Sequence, residues 1–389
     1  MANILFFHRN AISGNAGGIS RMTENLSDLF EKKGHTVFFL SVERRADIRD
    51  VNKQLYLPSN ELDSDININT FVKILKDNKI DTVINQDAAF SDVSSMLKSV
   101  KEITDIKIIT CYHNCILTPI FNYHYQQEFK LVAKHLGFVI PFLKLKVVKR
   151  FLISLYVRGH RKQYLDTYEI SDKIVLLSPG QKEEWEMMTG IKDTKGRIRI
   201  IPNCMHIKPY STYHKKNMVL WVGTIESYIK RPEVLLSIWH TLKDTDDWEL
   251  VFIGDGSSLS YLKKQTSNWK LKNVRFAGRV ESPEEYYKEA KILCVTSAHE
   301  SFSLVTVEAM MYNMVPILFD SFSMASSLVK DGYNGVLIKP FDKVEYAQKL
   351  NFMLTASDTL SRMSLIENES VQKFDLDNVY PLWEKELKI

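Results

Sequence analysis

Two glutamates, Glu300 and Glu308, bracket the run Ser301-Phe302-Ser303-Leu304-Val305-Thr306-Val307. Ahead of them the apolar stretch Ile292 to Thr296 reads as a strand, and Ser303 to Tyr312 reads as a helix. The first carboxylate then follows the carboxyl end of a strand, and the second lies about a turn and a half into the next helix. In open α/β sheets that edge is where ligands bind. A helix starting near Ser303 aims backbone N–H groups at the crevice, where they can hold a diphosphate or a developing anion. Glu308 can accept hydrogen bonds from the hydroxyls of a ribose. Taken alone, the same residues also read as a capping serine followed by a solvated glutamate.

The elements around this pair alternate between short apolar runs and longer segments of helical period, which predicts βαβ units and parallel sheets. In the first half, strands are expected at Ile4 to His8, Val37 to Ser41, Thr82 to Asn85, Lys107 to Cys111, Lys173 to Ser178 and Ile198 to Ile201. Helices are expected at Ser20 to Lys33 and Phe71 to Asn78. After Pro202-Asn203, the polar stretch Lys208 to Asn217 has no clear period and marks a domain boundary near residues 205–217. The second half restarts the pattern with strands at Met218 to Val222, Trp248 to Ile253, Val274 to Phe276, Ile292 to Thr296 and Val315 to Phe319. The expected domains are residues 1–206 and 207–373. The tail carries Phe374, Val379, Trp383 and Leu387, is interrupted by Pro381, and is expected to cross back to the first domain.

Composition narrows the function classes. The chain has 389 residues, 45% hydrophobic and 25% charged, which is ordinary for two globular domains. A net charge of +4 does not by itself indicate nucleic acid. The four cysteines (Cys111, Cys115, Cys204, Cys294) are too sparse for a disulfide scaffold. Cys111 and Cys115 flank His113, but the spacing is not a zinc-knuckle spacing and no second pair follows. Asp63-Ser64-Asp65 spells a tripeptide that some enzymes use to bind metal, yet it lies in a polar stretch with no sheet context and reads as an exposed acidic turn. The N-terminal apolar run is too short for a signal peptide, and no apolar run reaches the length of a spanning helix. A cytoplasmic protein without metal or cofactor is expected.

In the first half, Gly17-Gly18-Ile19 follows the first strand and precedes a helix, and glycine there allows close backbone approach to a ligand. The alternative is a flexible loop ending at a Ser20 cap. His113 follows the strand Lys107 to Cys111 and so stands at a carboxyl edge.

Most of residues 170–345 resembles the retaining glycosyltransferases of family 4, which have the GT-B fold. The residues that carry the resemblance are Glu300 and Glu308, Val222-Gly223 followed by Lys230, and Gly254-Asp255-Gly256 after a strand. Val274 to Gly278, Pro202-Asn203 and Asp331-Gly332-Tyr333-Asn334-Gly335 support it. The resemblance implies an α/β chain of two Rossmann-like, doubly wound parallel-sheet domains facing an interdomain cleft. It implies Glu300, Lys230 and His113 as the catalytic set. Glu300 would position the donor sugar, His113 would contact it, and Lys230 would clamp the diphosphate in place of a metal. The implied donor-binding residues are Gly18, Gly223, Thr224, Arg231, Gly254, Arg279, Val280, Ser301, Phe302, Ser303, Leu304 and Glu308. The loop opened by Gly278-Arg279-Val280 would hold the nucleobase, uracil ahead of guanine. The family commonly has an arginine where this chain has Thr224, with Arg231 as a candidate substitute, and a glycine where this chain has Ser301.

From Phe129 to Leu165 there is no Asp or Glu, while Lys144, Lys146, Lys149, Arg150, Arg158, Arg161 and Lys162 interleave with Phe142, Leu145, Val147, Phe151 and Leu155. A basic amphipathic stretch suits an anionic membrane surface; the alternative is a core helix with a solvated basic face. The expectation is a peripheral enzyme on the inner face of the membrane, moving a hexosyl unit from a UDP- or GDP-sugar to a lipid-linked or oligosaccharide acceptor in cell-surface polysaccharide assembly. Competing readings are a GT-B sugar-nucleotide epimerase and an inactive, transferase-like membrane partner.

Overall fold

The computed structural model describes residues 1–12, 17–43, 54–122, 145–193, 195–208, 211–243 and 245–387. It divides into two compact units: Met1–Leu117, Leu152–His206 and Phe374–Ile389 form the first, and Thr118–Phe151 with Ile207–Lys373 the second.

The first unit contains a parallel sheet of β1 (Asn3–Phe7), β2 (Thr36–Ser41), β3 (Gln54–Tyr56), β4 (Thr82–Asn85), β5 (Lys107–Cys111), β6 (Lys173–Leu176) and β7 (Ile198–Ile200), in the order β3-β2-β1-β4-β5-β6-β7. Alternation along β1 shows why the sheet is covered on both sides. Ile4 and Phe6 pack with Met22, Leu26 and Phe30, whereas Leu5 and Phe7 pack with Phe71, Val93 and Leu97. A strand buried on both faces reads as a continuous apolar run, as Ile-Leu-Phe-Phe does.

The C-terminal helix Leu376–Leu387 lays Val379, Trp383 and Leu387 on the same face of this sheet as Phe30. The Trp383 and Phe30 rings meet edge-on with centroids 5.8 Å apart. Pro381 was expected to interrupt the tail, but the helix runs through it. Proline removes one N–H and crowds the preceding turn. Burial of three large side chains at i, i+4 and i+8 outweighs that local cost.

The second unit has a parallel sheet of β8 (Met218–Val222), β9 (Glu249–Ile253), β10 (Val274–Gly278), β11 (Ile292–Val295), β12 (Val315–Phe319) and β13 (Val336–Ile338), ordered β10-β9-β8-β11-β12-β13. Its core includes Trp221, Trp239, Phe252, Phe319 and Tyr346. The described residues 118–122 and 145–151 belong to this unit, although the sequence placed everything up to residue 206 in the first. The amide of Asn122 accounts for part of this, since its Nδ2 donates to the carbonyls of Ala298 (2.6 Å) and Ser321 (2.9 Å).

Asp63-Ser64-Asp65 opens the helix Asp65–Asp77, with Asp65 in its first turn, where a carboxylate complements the helix dipole. Among the described residues, no group of three or more His, Cys, Asp or Glu could hold a metal ion, and no helix is long and apolar enough to cross a membrane.

Candidate functional site

In each sheet the strand order reverses beside its first strand: between β1 and β4 in the first unit, and between β8 and β11 in the second. Connections leave in opposite directions from such a point, and the crevice at the carboxyl ends of the two strands is the favoured place for a ligand.

In the second unit this crevice is built from glycines upward. A Cβ on Gly254 would lie 1.9 Å from the carbonyl oxygen of Gly223, so only glycine allows the loops after β8 and β9 to touch. The N–H of Gly223 donates to Ile253 O (3.0 Å) and that of Gly254 to Gly278 O (2.8 Å), which joins three successive strand ends. The loop after β8 is also fastened to β11. Thr296 Oγ1 donates to the carbonyls of Lys230 (3.1 Å) and Arg231 (2.9 Å), and Ala298 N donates to Ile229 O (2.7 Å).

Across this crevice, Lys230 Nζ lies 2.6 Å from Glu300 Oε1, and Ser297 Oγ donates to the same oxygen at 2.7 Å. The lysine stem runs over Gly223, its Cγ and Cδ each 3.8 Å from where a Cβ would stand. The Glu300 side chain is only 10% exposed and that of Lys230 28%. A pair so screened from water interacts more strongly than one on the surface. An ammonium has three donors, and Glu300 takes one of them among the described residues. The other two can meet a further anion.

Arg231 faces elsewhere. It is 4% exposed and its guanidinium carbon lies 5.0 Å from the centre of the Phe341 ring. Its backbone is left-handed (φ 54°) and caps the helix Pro232–Thr241. Thr224, in the place of the family's arginine, is exposed.

The helix expected from Ser303 begins one residue later, at Leu304–Met311, with Ser303 as its left-handed cap (φ 67°, ψ 65°). A non-glycine residue held there stores backbone strain of about 1–3 kcal/mol, a feature that clusters at functional sites. Ser303 Oγ and Thr306 Oγ1, 2.8 Å apart and buried, hold the cap. Phe302 is 3% exposed and therefore anchors the loop from within, whereas Ser301 and Leu304 are half-buried. Arg279 is exposed and Val280 half-buried after β10. Glu308 accepts a hydrogen bond on Oε2 from Tyr287 Oη (3.0 Å), which fixes the carboxylate. Burial lowers the pKa of His299, with Glu300 pulling the other way.

Ser297, Thr296 and Tyr287 were not singled out from the sequence. Ser297 stands three residues ahead of Glu300, a spacing that could have been noticed. Tyr287 lies 21 residues before Glu308 and gives no local signal.

The first unit's crevice is different. Gly17 has φ 112° and caps the helix Gly18–Lys32, with open space where a Cβ would stand, so the backbone conformation demands glycine. His8 follows β1, Gln86 and Asp87 follow β4, and His113 follows β5, all less than a tenth exposed. His113 Nε2 is hydrogen-bonded to Gln86 Oε1. His113 Nδ1 and Gln86 Nε2 are buried and have no partner among the described residues. Burial, and secondarily the charge on His8, push the pKa of His113 down to about 4. Burial alone raises that of Cys111, which keeps it a neutral thiol.

Two family models match. The one described as Glycosyltransferase Family 4 covers residues 16–208, and the one described as Glycosyl transferases group 1 covers residues 206–370. Over 227 residues the chain is 26% identical to a Campylobacter jejuni alpha-1,4-N-acetyl-D-galactosaminyltransferase, named for an acceptor on PP-undecaprenol. That match spans 56% of this chain and 60% of the relative. An uncharacterized glycosyltransferase of Haemophilus influenzae is 24% identical over 98% of this chain and 99% of its own length. Anabaena HepE, solved with UDP and glucose, superposes with a TM-score of 0.72 at 15% identity, covering 100% of this chain and 99% of its own.

Proposed function

Because the chain belongs to the family 4 glycosyltransferases of GT-B fold, we propose that it transfers a hexosyl unit from a UDP-sugar, with retention, to a hydroxyl of a lipid-linked glycan in cell-surface polysaccharide assembly. The observation that carries the reading is the Lys230–Glu300 pair over Gly223 at the second unit's switch point. A departing nucleoside diphosphate gains negative charge as its bond to the anomeric carbon lengthens. Lys230 has donors to spare for that charge, and a positioned cation stabilises it without a metal. Glu300, half of the same pair, orients the oxocarbenium-like sugar. Glu308, steadied by Tyr287, accepts from the ribose.

Atoms balance in one step. The anomeric C–O bond to the diphosphate breaks, the bond to the acceptor oxygen forms on the same face, and the acceptor proton passes to the departing diphosphate oxygen. Gly223, Thr224, Gly254, Ser301, Phe302, Ser303 and Leu304 line the diphosphate and sugar mainly through backbone, while Arg279 and Val280 flank the base. His113 and Gly18 are assigned to the donor on the family resemblance. UDP is favoured because HepE was solved with it, and a lipid-linked acceptor because the Campylobacter relative is named for one.

The helix Lys146–Ile170 supports contact with an anionic membrane. Val147, Phe151 and Leu155 are 73%, 61% and 49% exposed along one face, interleaved with exposed Arg150, Arg158 and Lys162. Each such cation contributes about 1 kcal/mol near an anionic surface. Residues 129–144 of the basic segment lie outside the described residues.

The test is a screen of donor hydrolysis across UDP- and GDP-sugars, followed by Lys230→Ala and Glu308→Ala with the best donor. Near-normal turnover in both variants would remove the site assignment. Conversion of the donor to an epimer without loss of the nucleotide would replace transfer by epimerisation. Nucleotide binding without any turnover would leave an inactive partner.

A further inference from the structure

The loop that carries Glu300 is pinned on both sides of Ala298. The N–H of Ala298 donates to Ile229 O (2.7 Å), one residue ahead of Lys230. Its carbonyl accepts from Asn122 Nδ2 (2.6 Å). The same nitrogen donates to Ser321 O (2.9 Å), on the loop after β12. Ser321 Oγ in turn donates to Ser297 O (2.8 Å), and Ser297 Oγ donates to Glu300 Oε1 (2.7 Å), the oxygen that Lys230 Nζ meets. One network therefore runs from Asn122 to the carboxylate.

Asn122, Ser297 and Ser321 are each less than a tenth exposed. Two carbonyl oxygens can be met at once by an amide NH2, whereas an ionised carboxylate of the same shape only accepts. The network also acts where the sheet does not. Pairing of β11 with β12 ends at Val295 and Leu318, so Ser297, Ala298 and Ser321 lie beyond the last ladder partners. Asn122 supplies the tie there, from a segment that lies in the chain between β5 and β6 but belongs by its contacts to the second unit.

We infer that Asn122 is a positioning residue for Glu300: its amide fixes the two loops through which Ser321 and Ser297 set the carboxylate in place beside Lys230. The inference rests on the glycosyltransferase reading. A displacement of about 1 Å from a change remote from the chemistry can cost about 10²-fold in rate.

Asn122→Ala removes both donors, Ser321→Ala only the tie to Ser297, and Ser297→Ala the last step to Glu300. Each is assayed for hydrolysis of whichever of UDP-glucose, UDP-galactose and UDP-N-acetylglucosamine the wild type turns over fastest. Asn122→Ala should lower kcat about 10- to 30-fold, with donor KM changed less than about threefold. In the Ser297→Ala background the same substitution should cost less than about threefold, because the path to Glu300 is already cut. An asparagine that only stabilised the fold would cost the same factor in both backgrounds, and that result overturns the inference. So does a folded Asn122→Ala with kcat within about threefold of wild type, or a loss confined to KM; either leaves the glycosyltransferase reading intact. If Asn122→Ala does not fold, Ser321→Ala takes its place against Ser297→Ala, under the same criterion of unequal factors.

Hydrogen exchange followed by mass spectrometry needs no turnover. A peptide covering residues 297–301 should exchange faster in Asn122→Ala than in wild type, with β1 unchanged. Equal exchange overturns the inference whether or not any donor turns over. Absence of wild-type turnover with every nucleotide sugar counts against the function, and the exchange result then decides alone whether Asn122 holds the Glu300 loop.

Discussion

At the β8–β11 crevice the central side chains are charged and paired with each other. At the β1–β4 crevice and the adjoining end of β5, Gln86 and His113 are neutral, and each keeps one buried atom without a partner among the described residues. Lys230 and Glu300 are paired at 2.6 Å, on loops joined backbone to backbone by the N–H of Ala298 donating to the carbonyl of Ile229. Gln86 and His113 bond to each other and, among the described residues, each keeps one buried polar atom without a partner. One architecture, used twice, has been given two chemistries. The second unit's crevice carries a charged pair, and the first a neutral one. A fixed charge pair resists reorganisation and suits transition-state stabilisation.

The contrast can be broken by mutation. The largest effect is expected from Lys230→Ala, which should lower kcat by about 10²- to 10³-fold with a smaller change in donor KM. A loss seen only in KM would move Lys230 from transition-state stabilisation to ordinary binding and erase the difference between the crevices. Gly254→Ala comes next. Its methyl would meet the Gly223 carbonyl at 1.9 Å, and backbone cannot yield cheaply, so a destabilisation of about 3 kcal/mol is expected in urea unfolding. A variant of native stability would show that the loops can part.

The neutral crevice has a pH signature. The native pKa of His113 lies near 4, below its ordinary 6.5. A depressed native pKa means that the unfolded chain takes up the proton first as pH falls. Stability contributed by the neutral ring is therefore complete above about pH 6.5 and lost progressively toward pH 4, by at most about 3 kcal/mol. Unfolding midpoints of wild type and His113→Asn, compared at pH 7.5 and pH 5, should show a steeper acid loss in wild type. Equal slopes would mean that the ring is not held neutral. The smallest effect is expected from Tyr287→Phe, which removes one hydrogen bond to Glu308, about 1 kcal/mol, and should raise donor KM about fivefold with kcat unchanged. An unchanged KM would detach Glu308 from the nucleotide.

Much of the scaffold was legible from local pattern. Lys107–Cys111, Thr82–Asn85, Met218–Val222 and Val315–Phe319 are strands within the bounds their apolar runs imply. The three-residue edge strands β3 and β13 were not assigned. The helices Lys343–Thr355 and Ser357–Val371 were not assigned either. Pro381 misled because a helix breaker is a local argument, and burial beside Phe30 overrode it.

Glycine placement, strand-end polarity and the Glu300–Glu308 spacing were determined by the sequence alone, because each is a matter of backbone conformation or period within one segment. Which groups meet was decided only in three dimensions. Lys230 and Glu300 are 70 residues apart, Gln86 and His113 27, and Arg231 stands beside Lys230 yet faces Phe341. Strand order brings separated strand ends to one crevice, and packing decides where a neighbouring side chain settles. Neither effect leaves a trace in local composition.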